Sequence, residues 1–287
     1  MSCDWLFVDG SSLIFRAYYG VPESVRSPDG RTVNAVRGFL ETLTRTLGVR
    51  DPRHLAVASD ADWRPDWRVA LIPSYKAQRV AEPIPPGLIP QMPIIDEFLA
   101  AIGIDAAGVP DYEAEDVIAT WTAQADGKVE IISGDRDLFA LIEDPRVAVL
   151  YPEKGGWNII DEAEVMRRYG IPGRHYADFA MLRGDPSDGL PGLKGVGAVA
   201  AAAMVREHGG IEALIAAGRL SDANREYLTR ALRVVPPVPD LPIDLPVGRR
   251  GRYPADPEGL NAVMAKHGLQ AASSRLVEAL NDHVRES

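Results

Sequence analysis

The chain has 287 residues, 46% of them hydrophobic and 25% charged, which excludes overall disorder and leaves room for one large α/β domain or one domain with a smaller helical annex. No apolar run reaches the ~18 residues of a membrane span, and Met1-Ser2-Cys3-Asp4 lacks the basic and apolar regions of a signal peptide, so a cytoplasmic protein without membrane contact is expected. The single cysteine excludes an internal disulfide and a multi-thiolate zinc site, and the net charge of −10, from 41 acids against 31 bases, argues against a nucleic-acid surface unless many carboxylates converge on bound cations.

In chain order, Trp5-Leu6-Phe7-Val8 reads as a buried parallel strand ending at Asp9-Gly10. Residues 34–47 carry Val36, Phe39, Leu40, Leu43 and Leu47 at helical spacing. His54 to Asp60 repeats the pattern of a strand that delivers an acid at its end. Residues 61–93, with Trp63, Arg64, Trp67, Arg68, Tyr75, Lys76, Arg79 and several prolines, read as an exposed, partly helical excursion over a site, with little apolar area to bury. Helices are expected over 92–102 and 112–122, a third strand over 128–135 and a fourth over 147–151. This alternation predicts an α/β fold with a mostly parallel sheet and a ligand site beyond the strands' carboxyl ends. From about residue 173 the sequence turns helical, around a glycine-rich passage at 184–197. A proline-rich extended stretch (236–246), a turn-rich connector (249–257) and a final helical segment (258–282) close the chain.

Asp9, Asp60, the trio Glu113, Glu115 and Asp116, and the pair Asp135 and Asp137 each follow a strand or open a helix, so one sheet edge can collect them. Glu113 and Asp116 have the spacing of one helical face, and Asp185 and Asp188 repeat it further on. Any one of these acids alone would serve equally well as a cap or a solvated side chain. Gathered together they repel unless cations fill the gap, and all-oxygen donors suit Mg²⁺ or Mn²⁺. Spacing alone supports an acidic metal enzyme on an α/β sheet and leaves the substrate open.

The stretches Leu6 to Gly10, Tyr75-Lys76-Ala77-Gln78-Arg79, Tyr112 to Asp116, Ser133 to Leu138, and Gly184 to Asp188 before Leu190-Pro191-Gly192 resemble, in order and spacing, the bacterial 5′-3′ exonuclease and flap endonuclease family. That family includes the N-terminal nuclease domain of DNA polymerase I, and the similarity runs over about residues 4–235. The resemblance implies a PIN-like, mostly parallel sheet with a helix-hairpin-helix annex. It implies an α/β nuclease core over 1–173 with an arch at 61–93. The remainder, 174–287, would be a helical DNA-binding region with its helix-hairpin element at 185–205 and a C-terminal extension packed on the core. One metal would be held by Asp9, Asp60, Glu113 and Glu115, a second by Asp135, Asp137, Asp185 and Asp188, with Asp116 near the junction. Tyr75, Lys76 and Arg79 would form a gateway, the two cations steering the scissile phosphate and the Tyr75 ring stacking a base. Gly192, Lys194, Gly195 and Gly197 would grip duplex backbone, with K⁺ held by nearby carbonyls. The implied activity is that of a monomeric nuclease leaving 5′-phosphates at DNA flaps, nicks and free 5′ ends, RNA-containing 5′ ends included.

The chain departs from the family pattern at two places. Gly189 stands where Asn is usual, and Gly195-Val196-Gly197-Ala198-Val199 lacks the usual Glu-Lys pair, which removes a lysine contact to duplex. Competing readings are an RNA-directed nuclease of the broader superfamily, a non-catalytic module for branched nucleic acid, and a phosphatase. The helix-hairpin element disfavours the first, the complete acid set the second, and Asp9-Gly10-Ser11, which is no Asp-x-Asp pair, the third.

Overall fold

The computed structural model describes residues 2–81, 83–154 and 156–285. Its strands are β1 (Ser2–Asp9), β2 (Asp51–Ala58), β3 (Asp105–Ala107), β4 (Val129–Ile132), β5 (Val147–Glu153) and β6 (Gly156–Ile160). Helices α1 (Gly10–Gly20), α2 (Asn34–Leu47), α3 (Asp66–Leu71), α4 (Gln78–Ala81), α5 (Met92–Ile102), α6 (Ala114–Gln124) and α7 (Glu162–Tyr169) accompany them. After these come α8 (Tyr176–Arg183), α9 (Ala198–His208), α10 (Ile211–Ala216), α11 (Asp222–Val234), α12 (Pro257–His267) and α13 (Gln270–Arg285). Among the described residues, no helix is long and apolar enough to cross a membrane.

The sheet order is β3-β2-β1-β4-β5-β6, parallel from β3 to β5, with β6 antiparallel to β5. This corrects the PIN-like expectation: the sheet is mixed. Two residues separate β5 from β6, far too few for the crossover that a parallel neighbour needs, so the chain can only fold back beside the strand it has left. Both edge strands, β3 and β6, escaped the sequence reading because each is short and lacks an apolar run.

Strand side chains alternate between two cores. Trp5, Phe7, Ala56, Ile131 and Val149 face α6, α8, α9 and α11, while Leu6, Val8, Leu55, Val57 and Ile132 face α1, α2, α5 and α13. The chain after residue 173 therefore covers both faces, with α8–α11 on one and α12–α13 on the other. The proline-rich stretch lies along α6, where the Val238 carbonyl accepts from Thr120 Oγ1 at 3.0 Å and the Asp244 carbonyl from Trp121 Nε1 at 3.2 Å. With both faces covered, the carboxyl ends of β1, β2 and β4 open at one rim.

Candidate active site

Three strand ends deliver acids to that rim. Asp9 ends β1 and caps α1, accepting from Ser12 N–H at 3.0 Å and from Ser133 Oγ at 2.5 Å. Asp60, just past β2, accepts from Ala114 N–H at 2.8 Å and so pins the start of α6. Beyond β4, Ser133 Oγ accepts from Asp135 N–H at 2.8 Å, and Asp135 accepts from Asp137 N–H at 3.0 Å. Carboxylate oxygens of Glu115, Asp135 and Asp137 all lie within 4.8 Å of one another. Glu115 and Asp135 border a cleft of about 460 Å³, which is also lined by Asp9, Asp60, Glu113, Asp188, Lys76, Arg79 and Arg136.

Burial of these acids works against their charge. Burial, opposed by the bonds from Ser133 and Ser12, pushes Asp9 up to about 7. Burial and the neighbouring Glu113 raise Asp60, and burial together with Asp188 raises Asp135. Burial and the charges of Asp188 and Asp135 hold Asp137 well above the usual carboxylate range, and burial and Glu113 do the same to Glu115. Such a group of converging carboxylates, whose charge burial opposes, has the all-oxygen donor chemistry of a hard divalent cation site.

Glu113 is surrounded differently. It accepts from Tyr75 Oη at 2.6 Å, Lys76 Nζ at 2.6 Å, Arg68 Nη1 at 2.7 Å and Arg79 Nη1 at 3.2 Å. Burial opposes its charge, yet Lys76 and Arg68 hold it below the ordinary range. Arg68 is wholly buried and donates to both oxygens of Asp116, at 2.9 and 2.7 Å, and to the Val234 carbonyl at 3.0 Å. Asp116 also accepts from Glu113 N–H at 3.1 Å and Val238 N–H at 2.9 Å, so its oxygens are occupied by protein donors away from the cleft. The three-residue spacing of Glu113 and Asp116 is the cap and third position of α6 rather than two ligands side by side.

The segment 61–93 is likewise not an exposed excursion at its centre. Tyr75 and Lys76 are each 1% exposed, so the Tyr75 ring offers no open face for a base, and Ile72 and Leu88 join the two cores. Lys76 lies in a turn before α4 with φ of +45°, so Lys76 and Arg79 reach Glu113 from different backbone conformations, not from one helical face. Nearer the mouth, Phe15 stacks on Trp63 at 4.8 Å, and the Arg79 guanidinium lies 4.0 Å from the Trp63 ring centre.

Asp185 and Asp188 occupy one tight turn, with Asp188 N–H donating to the Asp185 carbonyl at 3.2 Å. The Asp188 side chain faces the cleft. Asp185 accepts from Ser187 N–H at 3.0 Å and from Arg183 Nη2 at 3.2 Å, with Arg136 at 3.7 Å. In the hairpin, Lys194, Gly195 and Gly197 are exposed, and nothing would meet a side chain at either glycine. Gly192 differs: it packs on the end of α8, where a Cβ would lie 2.4 Å from Gly184 N, and its N–H donates to Tyr227 Oη at 3.3 Å. Sequence reasoning gives no site role to Arg68, Trp63, Phe15, Ser133 or Arg136. Only the SGDRD run, with a serine and an arginine flanking two acids, carried a local signal for any of them.

A profile for "5′-3′ exonuclease, N-terminal resolvase-like domain" matches residues 4–170. The chain is 47% identical to a 5′-3′ exonuclease of Streptomyces coelicolor, over 96% of this chain and 99% of that one. It is 39% identical to DNA polymerase I of Mycobacterium bovis over 79% of this chain, which spans only 26% of that longer protein. Among solved structures it resembles the bacteriophage T5 D15 protein crystallised with metal ions (TM-score 0.67, 17% identity, 99% of this chain and 100% of that one). It also resembles flap endonuclease-1 of Methanococcus jannaschii (TM-score 0.59, 17% identity, 99% and 93%). The mixed sheet with flanking helices is thus the flap endonuclease architecture, which replaces the PIN-like label. Matched along nearly its whole length to curated relatives, the chain belongs to the 5′-3′ exonuclease and flap endonuclease family, related to the nuclease domain of DNA polymerase I.

Proposed function

We propose that this metal-dependent 5′ nuclease cuts DNA at flaps, nicks and free 5′ ends, leaves 5′-phosphates, and uses two divalent ions, Mg²⁺ or Mn²⁺. The observation that carries this reading is the trio Glu115, Asp135 and Asp137, whose oxygens converge within 4.8 Å while burial holds each acid's pKa above the usual range. Asp9, Asp60 and Asp188 line the same cleft and would complete the ligand set. Held by these acids, divalent ions would supply charge neutralisation at the scissile phosphate and lower the pKa of the attacking water. The chain's own contribution is electrostatic: Lys76 and Arg79 put two fixed positive charges on the cleft wall, where charge develops on the phosphate. Ser133 and Ser12 hold the Asp9 carboxylate in place.

The hairpin backbone at Gly195 and Gly197, with Lys194, would grip the duplex phosphates, and K⁺ would be held by carbonyls there. Cleavage of 5′- and 3′-labelled flap, nicked and plain duplexes, with Mg²⁺, Mn²⁺ or chelator, tests the proposal. Metal-dependent release of 5′-phosphorylated products from flaps and nicks is expected, and cleavage undiminished in chelator would refute it. Flaps that begin with ribonucleotides test the RNA-containing 5′ ends, and exchange of K⁺ for Na⁺ in duplex binding tests the hairpin ion.

A further inference from the structure

We propose that Gly189 is a positioning residue for cleavage: its missing side chain seats the Ser74 carbonyl directly on the Asp185–Gly189 turn, so that Lys76 and Asp188 are placed by one backbone joint. Gly189 has φ of +67°, and a Cβ there would lie 1.8 Å from the Ser74 carbonyl oxygen and 3.3 Å from Lys76 N. The obstacle is backbone on both sides, so no change of side-chain rotamer could relieve it. Two further contacts close the joint. Lys76 N–H donates to the Asp188 carbonyl at 2.9 Å, and Gln78 Nε2 donates to the Ser187 carbonyl.

Lys76 itself has φ of +45°, a left-handed conformation that long side chains rarely adopt. The bond to Asp188 and the 2.6 Å contact of its ammonium with Glu113 hold that conformation from its two ends. The left-handed turn is what sends the ammonium inward, to within 3.9 Å of the Asp188 carboxylate, instead of out to solvent. The joint therefore ties a cation of the cleft wall to an acid that lies more than a hundred positions along the chain. A side chain at Gly189 would push Ser74 to Lys76 off the turn and carry the ammonium away from the acids.

This inference rests on the phosphate-steering role given to Lys76 above, and the experiment separates the two. Single-turnover cleavage of a nicked duplex at saturating enzyme and Mg²⁺ is measured for Gly189→Ala, Lys76→Ala, the double variant, and Gly218→Ala. Gly218 has φ of +70° with nothing within 4 Å of a Cβ, so it reproduces the backbone strain without the collision. Gly189→Ala should slow cleavage by roughly 10- to 100-fold, the scale of an ångström-sized misplacement, with Gly218→Ala near the wild-type rate. Adding Gly189→Ala to Lys76→Ala should slow the reaction by no more than about twofold, because the two changes spoil the same placement.

A Gly189→Ala rate equal to that of Gly218→Ala, or effects that simply multiply in the double variant, would overturn the joint. A wild-type rate in Lys76→Ala would instead remove the steering role itself. Should Gly189→Ala fail to fold by circular dichroism, Gln78→Ala, an exposed change on the same joint, takes its place in the cycle. A slower rate coupled to Lys76→Ala supports the joint, and a wild-type rate dismisses it.

Discussion

Glu113 and Glu115 are separated by a single residue, and both are buried, yet they sit in opposite electrostatic surroundings. Around Glu113 and Asp116 the protein supplies its own cations, Arg68 and Lys76 above all, and Glu113 is held ionised. Around Glu115, Asp135 and Asp137 it supplies more carboxylates, which the Lys76 charge opposes at Glu115 and Asp135 and Arg68 at 3.6 Å opposes at Glu115, and burial leaves the pKa of each raised. Burial opposes the charge on both sides, and the partners tip the outcome. One half of the acid cluster is scaffold whose counter-charge is covalently part of the chain. The other half is the candidate cation site.

The comparison breaks most visibly in the rate. Asp137→Asn removes a carboxylate from the open half, where metal-borne charge stabilisation is worth several kcal/mol, so cleavage in Mg²⁺ should fall by about 10³-fold with folding intact. A rate within tenfold of wild type would place the ions elsewhere. Next comes Arg68→Gln, which strips the closed half of its buried cation and should lower unfolding free energy by about 3–5 kcal/mol in urea, with metal or without it. A loss that Mg²⁺ reverses would mean that the two halves are not distinct.

A pH series sharpens the contrast through its sign. The folded pKa of Asp9, about 7, lies above its ordinary 3.8, so between those values the native state keeps a proton that the unfolded chain has released. Its contribution is full below the ordinary value and is lost as pH rises through about 7. The melting temperature in chelator should therefore fall from about pH 5 to about pH 8, and Asp9→Asn should flatten the slope and raise Tm by ~3 °C at the alkaline end. Glu113, with its lowered pKa, contributes in the opposite direction and loses its share as pH falls. A melting temperature that climbs from pH 5 to pH 8 would contradict the raised set. The smallest change expected is at Val199, 86% exposed near the start of α9. Val199→Lys should tighten duplex binding at low salt and steepen its salt dependence by about one unit of log–log slope. Binding that does not respond to salt would rule out phosphate contact there.

Much of this was readable from the sequence, because strands of a parallel sheet announce themselves as apolar runs and a ligand site at their ends follows from topology. Asp9, Asp60 and Asp135 were each found as the acid that ends or follows such a run. What stayed hidden was pairing at a distance. Arg68 sits in a six-residue helix whose sequence reads as surface, and its acid partners lie 45 and 48 positions away. The burial of Tyr75 and Lys76 is hidden for the same reason. A charged and proline-rich segment looks solvated until its counter-charges, supplied by α6, are known. Asp116 was grouped with the cleft acids because spacing reports which residues share a helical face and says nothing of which donors occupy them.

The stack of Phe15, Trp63 and Arg79 gives the cleft an optical reporter of its own. Indole emission is sensitive to a cation resting on the ring, and Trp63 is the one tryptophan bordering the cleft among the described residues. A phosphate that draws Arg79 off the ring changes the light that Trp63 emits. With Trp5, Trp67, Trp121 and Trp157 replaced by phenylalanine, stopped-flow fluorescence would follow the arrival of a 5′ end before any bond is cut, with no dye attached to either partner.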